Sequence, residues 1–354
     1  MKKNKIVTFG LLGLGAVVKV RVFKLFKNEL KNSKVISVFD KDKKKSKEYS
    51  EKFKCDYNKN ENEFFSKKFD FCYISTPSGS HFKDILKCFK YGKNVIVEKP
   101  PTLKTNQLIY LNKEAGKKKL KFFVIYQNRE NKAVKYVKNY LNKNKNDKTI
   151  LVNLNLLWSR PQNYYSRWHG KWKEDGGVLA QQGIHYIDLL CYLFGKPLKA
   201  ISIIDNISNK LEAEDTHIGI IKFKNATCKI GLSTALIPTD LKGSIEIVCQ
   251  KNLISLFGKA CNEVSIINYN KKENKKLEQQ CKNNSQKVNS GVGISHHECF
   301  RKIIENFNNK KKNKPLKAID TLDTLKLINM LYLSSFKKKW IINNKKNISS
   351  RLGN

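Results

Sequence analysis

From Ile6 to Tyr126, short apolar runs alternate with longer stretches in which apolar residues recur every three or four positions. The runs at 6–12, 35–39, 69–75, 94–97 and 121–126 predict strands. The stretches at 16–30, after Lys43, at 81–91 and at 103–117 predict helices between them. Continuous apolar strands separated by amphipathic helices make a parallel, doubly wound α/β sheet covered on both faces. Residues 1–126 are therefore expected to form one domain.

The texture changes after Gln127. A helix at 131–141 is followed by strand patterns at 150–158, 200–204, 217–223, 227–233, 244–249 and 253–257, with a helix at 183–193 among them. This predicts a second domain over 127–354, of α+β class, with an antiparallel or mixed sheet covered on one face. The polar stretch 271–290 reads as a surface loop. Near the end, Leu322, Leu325, Ile328, Tyr332 and Phe336 recur on one helical face, with Asp320 as the expected N-cap. No internal repeat is visible, and 354 residues suit two domains.

Charge changes the picture less than its size suggests. Lys and Arg total 70 against 30 acidic residues, a net +40. Only six of the 70 are Arg (Arg21, Arg129, Arg160, Arg167, Arg301, Arg351). The Lys residues are scattered through every polar segment, as in Lys117-Lys118-Lys119 and Lys310-Lys311-Lys312, rather than gathered on one element. Such a spread supports weak non-specific association and no specific nucleic-acid partner. Where Arg is this rare, a position that keeps it calls for a planar, two-pronged donor. No apolar run reaches the roughly 18 residues of a membrane span, so no membrane insertion is expected. Met1-Lys2-Lys3-Asn4-Lys5 runs into a short apolar stretch without a cleavage-site pattern and reads as the approach to a first strand, not an export signal. Nine Cys, an odd number without a Cys-x-x-Cys spacing, read as reduced structural thiols of a cytoplasmic protein. No metal-ligand spacing appears; His296 and His297 are adjacent rather than one helical turn apart.

Candidate chemistry collects at the ends of the first domain's strands. Gly13-Leu14-Gly15-Ala16-Val17-Val18 follows the first strand and opens a helix. The first Gly allows a tight turn, the second a close approach to a pyrophosphate, and the helix N-terminus favours its charge. The third position of this fingerprint is Val18 rather than Gly. Asp40 ends the second strand, where a carboxylate holds ribose hydroxyls and repels a 2′-phosphate, which favours NAD over NADP. Thr76, Pro77 and His81 lie in a loop at the same edge and are expected to line the cofactor. Glu98-Lys99-Pro100-Pro101 ends the fifth strand there; a Lys fixed beside a nicotinamide can assist removal of a hydroxyl proton.

Two stretches of the second domain stand out. Asp175-Gly176-Gly177 leads into a helix carrying Gln181 and His185, and His moves protons near neutral pH. Just upstream, residues 158–172 hold three of the four Trp and two of the six Arg, including Arg160, Tyr164 and Tyr165. With Arg129, these suit an anionic ligand with rings to stack on. A domain or subunit interface, also rich in Trp, Tyr and Arg, is the other reading.

Together these residues resemble the glucose-fructose oxidoreductase and inositol dehydrogenase family (Gfo/Idh/MocA). The resemblance rests on the Gly-x-Gly opening, the triplet Glu98-Lys99-Pro100, and the run from Gly176-Gly177 to Gly183-Ile184-His185. It implies a Rossmann domain that binds NAD and a C-terminal α+β domain with a large open, mainly antiparallel sheet. It also implies a homodimer or homotetramer built on that sheet. Within the family, Gln127-Asn128-Arg129, Arg160-Pro161-Gln162-Asn163-Tyr164-Tyr165, Gln182-Gly183-Ile184-His185 and Leu211-Glu212-Ala213-Glu214-Asp215-Thr216 are similar to UDP-N-acetyl-2-amino-2-deoxyglucuronate dehydrogenases of surface-polysaccharide synthesis (WlbA/WbpB-like). By resemblance, Lys99 and His185 are the catalytic pair. The cofactor set is Gly13, Gly15, Ala16, Val17, Asp40, Thr76, Pro77, His81, Glu98, Lys99 and Gln127. The substrate set is Lys99, Arg129, Arg160, Tyr164, Tyr165, Gln181 and His185. Val18, Pro101 and Gln181, which stands where the family usually has Asp or Asn, depart from its pattern. Two other readings remain: a dehydrogenase of a free cyclitol or sugar, and a non-catalytic NAD- or sugar-sensing protein.

Overall fold

The computed structural model describes residues 5–288, 295–308, 314–344 and 347–354. Met1 to Asn4, the last two residues of the polar stretch 271–290, and the lysines 310–312 lie outside the described residues. The chain divides into two compact units: Met1–Gln127 with Ile294–Asp320, and Asn128–Gly293 with Thr321–Asn354.

The first unit is built on six parallel strands: β1 (Val7–Leu12), β2 (Ser33–Phe39), β3 (Asp56–Tyr57), β4 (Phe71–Ile74), β5 (Asn94–Glu98) and β6 (Phe122–Ile125). Their order is β3-β2-β1-β4-β5-β6, so the winding reverses between β1 and β4. A ligand crevice forms outside the carboxyl ends of strands at such a reversal. Helices α1 (Lys43–Phe53), α2 (Glu61–Ser66), α3 (His81–Lys90) and α4 (Thr105–Lys117) connect the strands. The helix after Gly15 widens at Val18–Val22 and again at Leu25–Glu29, where Phe23 N–H and Leu30 N–H each reach back five residues. Val18, the bulky third residue of the fingerprint, is fully buried at the first widening. An added methylene group in a packed interior must be absorbed by local rearrangement.

The core of this unit is aromatic. Phe9 packs against Phe26, Phe71 and Phe300 at ring-centroid distances of 4.8, 6.0 and 6.2 Å. Phe300 belongs to a later helix, His296–Phe307, which is absent from the sequence-based expectation. Its Ile303 and Ile304 are buried in the same cluster. A single boundary at residue 126 therefore misses a return segment that completes the first unit.

The second unit holds α5 (Lys132–Lys143), α6 (Ile184–Phe194), α7 (Asn274–Asn284) and, after the return segment's helix α8 (His296–Phe307), α9 (Leu322–Lys337). Its sheet has eight strands: β7 (Thr149–Leu157), β8 (Pro197–Asp205), β9 (Thr216–Phe223), β10 (Thr227–Ser233), β11 (Lys242–Cys249), β12 (Asn252–Phe257), β13 (Glu263–Asn268) and β14 (Ile341–Ile342). The order is β13-β12-β11-β7-β10-β9-β8-β14, antiparallel except for the β7–β10 pair. Alternate residues such as Val152, Leu154, Ile230, Leu232 and Ile247 are buried on one face. The other face leaves Ile203, Ile218 and Ile220 between 41 and 67% exposed. Two expectations are corrected here. Residues 271–290 contain α7, whose Leu277 and Cys281 are buried against β13; two apolar residues in a Lys- and Asn-rich stretch give too weak a period to read. Asp320 is not the cap of α9: it lies in a short turn, Ala318–Thr321, and Thr321 precedes the helix.

Inside this unit Arg129 grips Asp188 on α6 with two prongs, Nε to Oδ2 at 2.7 Å and Nη2 to Oδ1 at 2.6 Å. Thr324 on α9 donates to the same Oδ1 at 2.8 Å. Asp188 is 1% exposed. Removing one partner of a buried pair strands the other charge, at about 3–5 kcal/mol. Asp188→Ala should therefore lower the unfolding midpoint sharply, whereas Thr324→Ala, which leaves both ions paired, should lower it far less; thermal and denaturant unfolding of both variants checks this.

Candidate active site

Five predicted positions converge because five parallel strands end at one edge. Gly13, Asp40, Thr76, Lys99 and Gln127 follow β1, β2, β4, β5 and β6 in turn. Gly13 has φ +86°, and a Cβ there would lie 2.7 Å from Thr76 N and 2.8 Å from the Ser75 carbonyl carbon. Only Gly fits. The Cβ position of Gly15 is open, its nearest neighbour being Ser75 O at 4.0 Å. Asp40 Oδ2 accepts Leu14 N–H at 2.7 Å, and Oδ1 accepts Asp42 N–H at 2.9 Å, so the carboxylate is anchored against the Gly-x-Gly turn. An open backbone turn at a helix start with a fixed carboxylate beside it fits a dinucleotide.

The loop after β4 is tied to the turn after β5. Thr76 donates to Asp84 Oδ2 at 2.6 Å. His81, 1% exposed, places Nε2 2.9 Å from Thr76 O and Nδ1 2.7 Å from Pro100 O. Burial pushes its pKa down, opposed by those two carbonyls. His81, expected to touch the cofactor, has both ring nitrogens engaged by main chain and holds two loops together. Glu98 Oε1 accepts the Tyr73 hydroxyl at 2.6 Å and lies 3.6 Å from His296 Nε2. Burial alone would raise the Glu98 pKa, but His296, the Tyr73 hydrogen bond and the charge of Lys99 bring it below the ordinary value. Lys99 is half-buried at the strand end, beside this ionised carboxylate.

In the second unit, β7 delivers the Arg- and aromatic-rich segment. Arg160 Nη1 lies 3.1 Å from Asp240 Oδ1, with its guanidinium 5.0 Å from the Trp158 ring and 5.7 Å from that of Tyr164. The Tyr164 hydroxyl accepts Gln181 Nε2–H at 2.6 Å, and its ring stacks on His169 at 4.2 Å and 9°. His169 Nδ1 is held by buried Asp175 Oδ2 at 2.7 Å, whose Oδ1 accepts Gly170 N–H at 2.9 Å. Tyr165 pairs its hydroxyl with Thr234 Oγ1 at 2.8 Å. Burial pushes the pKa of both tyrosines up, that of Tyr165 to about 12. Gln181 lies in the widened turn Leu179–Gly183 that leads directly into α6, and His185 is half-buried in the first turn of α6.

The structure thus gathers Arg160, Tyr164, Gln181 and His185 into one continuous stretch of the second unit. The fork of Arg129, offered by the sequence to a substrate anion, is engaged by Asp188 inside the protein. The pairing of His169 with Asp175 is not readable in the sequence, because a Trp-flanked His gives no sign of its carboxylate partner six residues on. His296 and Tyr73 were equally silent, since only the return of α8 brings His296 to Glu98. Among the described residues, no group of His, Cys, Asp or Glu could hold a metal ion.

Two substitutions test the dinucleotide edge. Gly13→Ala forces a side chain into a left-handed turn, a cost of about 1–2 kcal/mol before any clash, and should weaken NAD binding at least about tenfold. Asp40→Ala should narrow the preference for NAD over NADP. Fluorescence titration of both cofactors reads each effect; an unchanged NAD-to-NADP ratio in Asp40→Ala would remove the carboxylate's assigned role.

Residues 7–126 match the model for "Oxidoreductase family, NAD-binding Rossmann fold", and residues 148–342 that for "Oxidoreductase family, C-terminal alpha/beta domain" (GFO_IDH_MocA). Among solved structures, the chain is similar to the WlbA dehydrogenase of Bordetella pertussis, crystallised with NADH and UDP-GlcNAcA. Identity is 22% and the TM-score 0.85, over 96% of this chain and 99% of that one. The WlbA dehydrogenase of Chromobacterium violaceum, in complex with the same two ligands, gives 24% identity and a TM-score of 0.87 over 98% of both chains. At these identities the likeness is one of fold. Among curated proteins, scyllo-inositol 2-dehydrogenase (NADP(+)) IolW of Bacillus subtilis is 28% identical over 129 residues, 36% of either chain. Oxidoreductase P35 of Formosa agariphila is 27% identical over 164 residues, 43% of this chain and 49% of that protein. The matches span about half the length of these curated relatives or less. Both halves of the fold carry the family's domains in the family's order, and the chain belongs to the Gfo/Idh/MocA oxidoreductases, with an NAD-binding Rossmann unit.

Proposed function

We propose that this protein is an NAD-dependent sugar dehydrogenase that oxidises a hydroxyl to a ketone, and that its substrate is a UDP-N-acetyl-amino-sugar uronate attacked at the 3-hydroxyl. The observation that carries this reading is the 2.6 Å hydrogen bond from Gln181 to Tyr164. It joins the Arg- and aromatic-rich segment to the helical segment bearing His185, so that groups suited to an anionic, ring-bearing ligand adjoin a proton acceptor. The two WlbA dehydrogenases, solved with NADH and UDP-GlcNAcA, support the same substrate class. The matching stretch of IolW, named for a cyclitol, supports the second reading: the same chemistry on a free cyclitol or sugar.

NAD, when bound, supplies the acceptor for the hydride leaving the sugar carbon. Gly13, Gly15, Ala16, Val17 and Asp40 hold its phosphates and ribose, and Thr76, Pro77, Glu98 and Gln127 complete the edge. His185 takes the proton of the reacting hydroxyl, assisted by Lys99, whose ammonium favours the alkoxide. Arg160, Tyr164, Tyr165 and Gln181 orient the substrate. The product ketone suits later amination in surface-polysaccharide synthesis, and the protein works in the cytoplasm. Nine free cysteines, most of them buried, support that location, and no helix among the described residues is long and apolar enough to cross a membrane. The open sheet face, with exposed Ile203 paired across the strands with Ile218, supports a homodimer or homotetramer built there.

A panel of UDP-sugars and free cyclitols, followed by NADH absorbance with coupled removal of the ketone, tests the substrate; turnover of cyclitols alone would favour the second reading, and none with any hydroxyl substrate the sensor. His185→Ala and Lys99→Ala should each lower turnover by about 10²–10⁴, with NAD affinity unchanged. The double variant should lose less than the product of the two, because both serve one proton transfer. Arg160→Lys should chiefly raise the Michaelis constant. Near-normal turnover in His185→Ala would refute its role.

For assembly, Ile203→Lys with Ile218→Lys places like charges directly opposite each other on the open face. Light scattering should show a shift to the monomer, and an unchanged mass would exclude that face as the interface.

A further inference from the structure

The stretch Leu211-Glu212-Ala213-Glu214-Asp215-Thr216 holds a carboxyl group that the proposed chemistry does not use. Glu214 is 1% exposed, in the connection between β8 and β9. Its carbonyl accepts Val178 N–H at 2.9 Å. Its Oε1 accepts Leu179 N–H at 3.0 Å and the Tyr332 hydroxyl at 2.9 Å. Tyr332 in turn accepts Gly177 N–H at 3.2 Å. These three consecutive N–H groups open the helical segment that runs from Leu179 through α6, and helix starts leave such donors unsatisfied. Gly177 passes so close that any Cβ would overlap the carbonyl and carboxyl of Glu214. Glu214 Oε2 is buried with no hydrogen-bond partner.

We propose that Glu214 is a positioning residue for the reaction, fixing from the β8–β9 connection the first turn of the segment that places Gln181 and His185. The inference rests on the acid–base role assigned to His185 above. The unpartnered Oε2 makes the neutral carboxyl the form that fits: Oε1 accepts both donors in either form, but an unpaired buried O–H costs less than charge on a buried oxygen without a partner. Burial pushes Glu214 up to about 8, opposed by the Leu179 and Tyr332 hydrogen bonds and reinforced by the charge of Asp175. The groups facing it are Tyr332 from α9, Asp175 with its partner His169 from the preceding loop, and the neighbouring Asp215. The Asp215 carboxylate is saturated by the N–H groups of Ile207, Ser208 and Asn209. The sign follows from the raised pKa. From the ordinary Glu range up to about pH 8, the unfolded chain loses its proton and the native one keeps it, so the group's contribution to stability falls. Above about 8 the native carboxyl ionises and the turn loosens.

Hydrogen exchange of the full chain without ligand reads this directly, because it needs no substrate. In the wild type, protection of amides 177–186 should fall about tenfold from pH 7 to pH 9, after correction for intrinsic rates. Glu214→Gln should keep the protection at both pH values, and Glu214→Ala should lack it at both. Tyr332→Phe, which removes only the linking hydroxyl, should lose part of it and serves if Glu214→Ala does not fold. Turnover should show an alkaline decline near pH 8 in the wild type that Glu214→Gln abolishes, with NAD affinity unchanged. Wild-type protection retained in Tyr332→Phe, or the same pH dependence in the wild type and Glu214→Gln, would overturn the proposal. If exchange follows the expectation while no UDP-sugar is oxidised, the substrate reading fails and the positioning role stands.

Discussion

The main chain of the turn after β1 lies in contact with that of Ser75 and Thr76, and the carboxyl edge of the first unit is registered from this point. No side chain fits at Gly13, and the Ser75 hydroxyl fastens the approach by donating to Gly13 O at 2.8 Å. From there the constraint passes outward on both sides. Asp40 grips Leu14 N–H, which sets the end of β2. Thr76 O meets one nitrogen of His81, and the other meets Pro100 O. The position of Lys99, next to Pro100, thus follows from a glycine 86 residues earlier in the chain. A strand end alone would leave the main chain of that turn free to swing; two carbonyls held by one buried ring do not.

Most of the fold was legible because the inner strands of the first sheet, such as β1 and β4, are buried on both faces and spell themselves as apolar runs, whereas the exposed two-residue edge strand β3 gives no such signal. The second sheet, one-sided, announced itself by alternation, as in Thr227–Ser233, where Lys229 and Gly231 separate buried Cys228, Ile230 and Leu232. What escaped notice had a diluted pattern. In α7, Leu277 and Cys281 are the only buried residues of an otherwise solvated helix. The helix His296–Phe307 carries a plain amphipathic period, but nothing local says that its Phe300 belongs to the core around Phe9. At the site, residue types were readable and partnerships were not. Arg129 was read toward a substrate anion and His81 toward the cofactor, and nothing local announced the groups they engage, Asp188 and the carbonyls of Thr76 and Pro100. Glu214 could not be singled out, since a buried carboxyl looks in sequence like any other Glu.

The scarcity of Arg did carry information, though of a different kind from that expected. Arg21 meets Glu29 with two prongs, at 2.8 and 2.9 Å, and Arg301 joins Glu298 and Glu305 on its own helix. Arg351 lies over the rings of Phe336 and Trp172. These are places where a planar fork or a flat cation outperforms an ammonium. Many Lys, by contrast, are exposed or meet single carboxylates, as in Lys52 with Glu48 or Lys117 with Glu114, pairs worth little to stability. The large positive charge is thus mostly a property of the solvated surface, while the few guanidinium groups hold particular joints.

The return of His296–Phe307 to the first unit bears on how the chain is made. When residue 127 has been synthesised, all six parallel strands exist, but Phe9, Phe26 and Tyr73 lack the ring of Phe300. About 170 more residues must be added first, which at roughly 5–20 residues per second takes about 10–35 s. Throughout that interval the nascent sheet presents an aromatic surface awaiting its last helix, while seven of the eight strands of the second sheet, β7 to β13, emerge behind it. Vectorial synthesis therefore cannot finish the first unit before most of the second exists: the first closes only with Ile294–Asp320, and the second then waits for Thr321–Asn354.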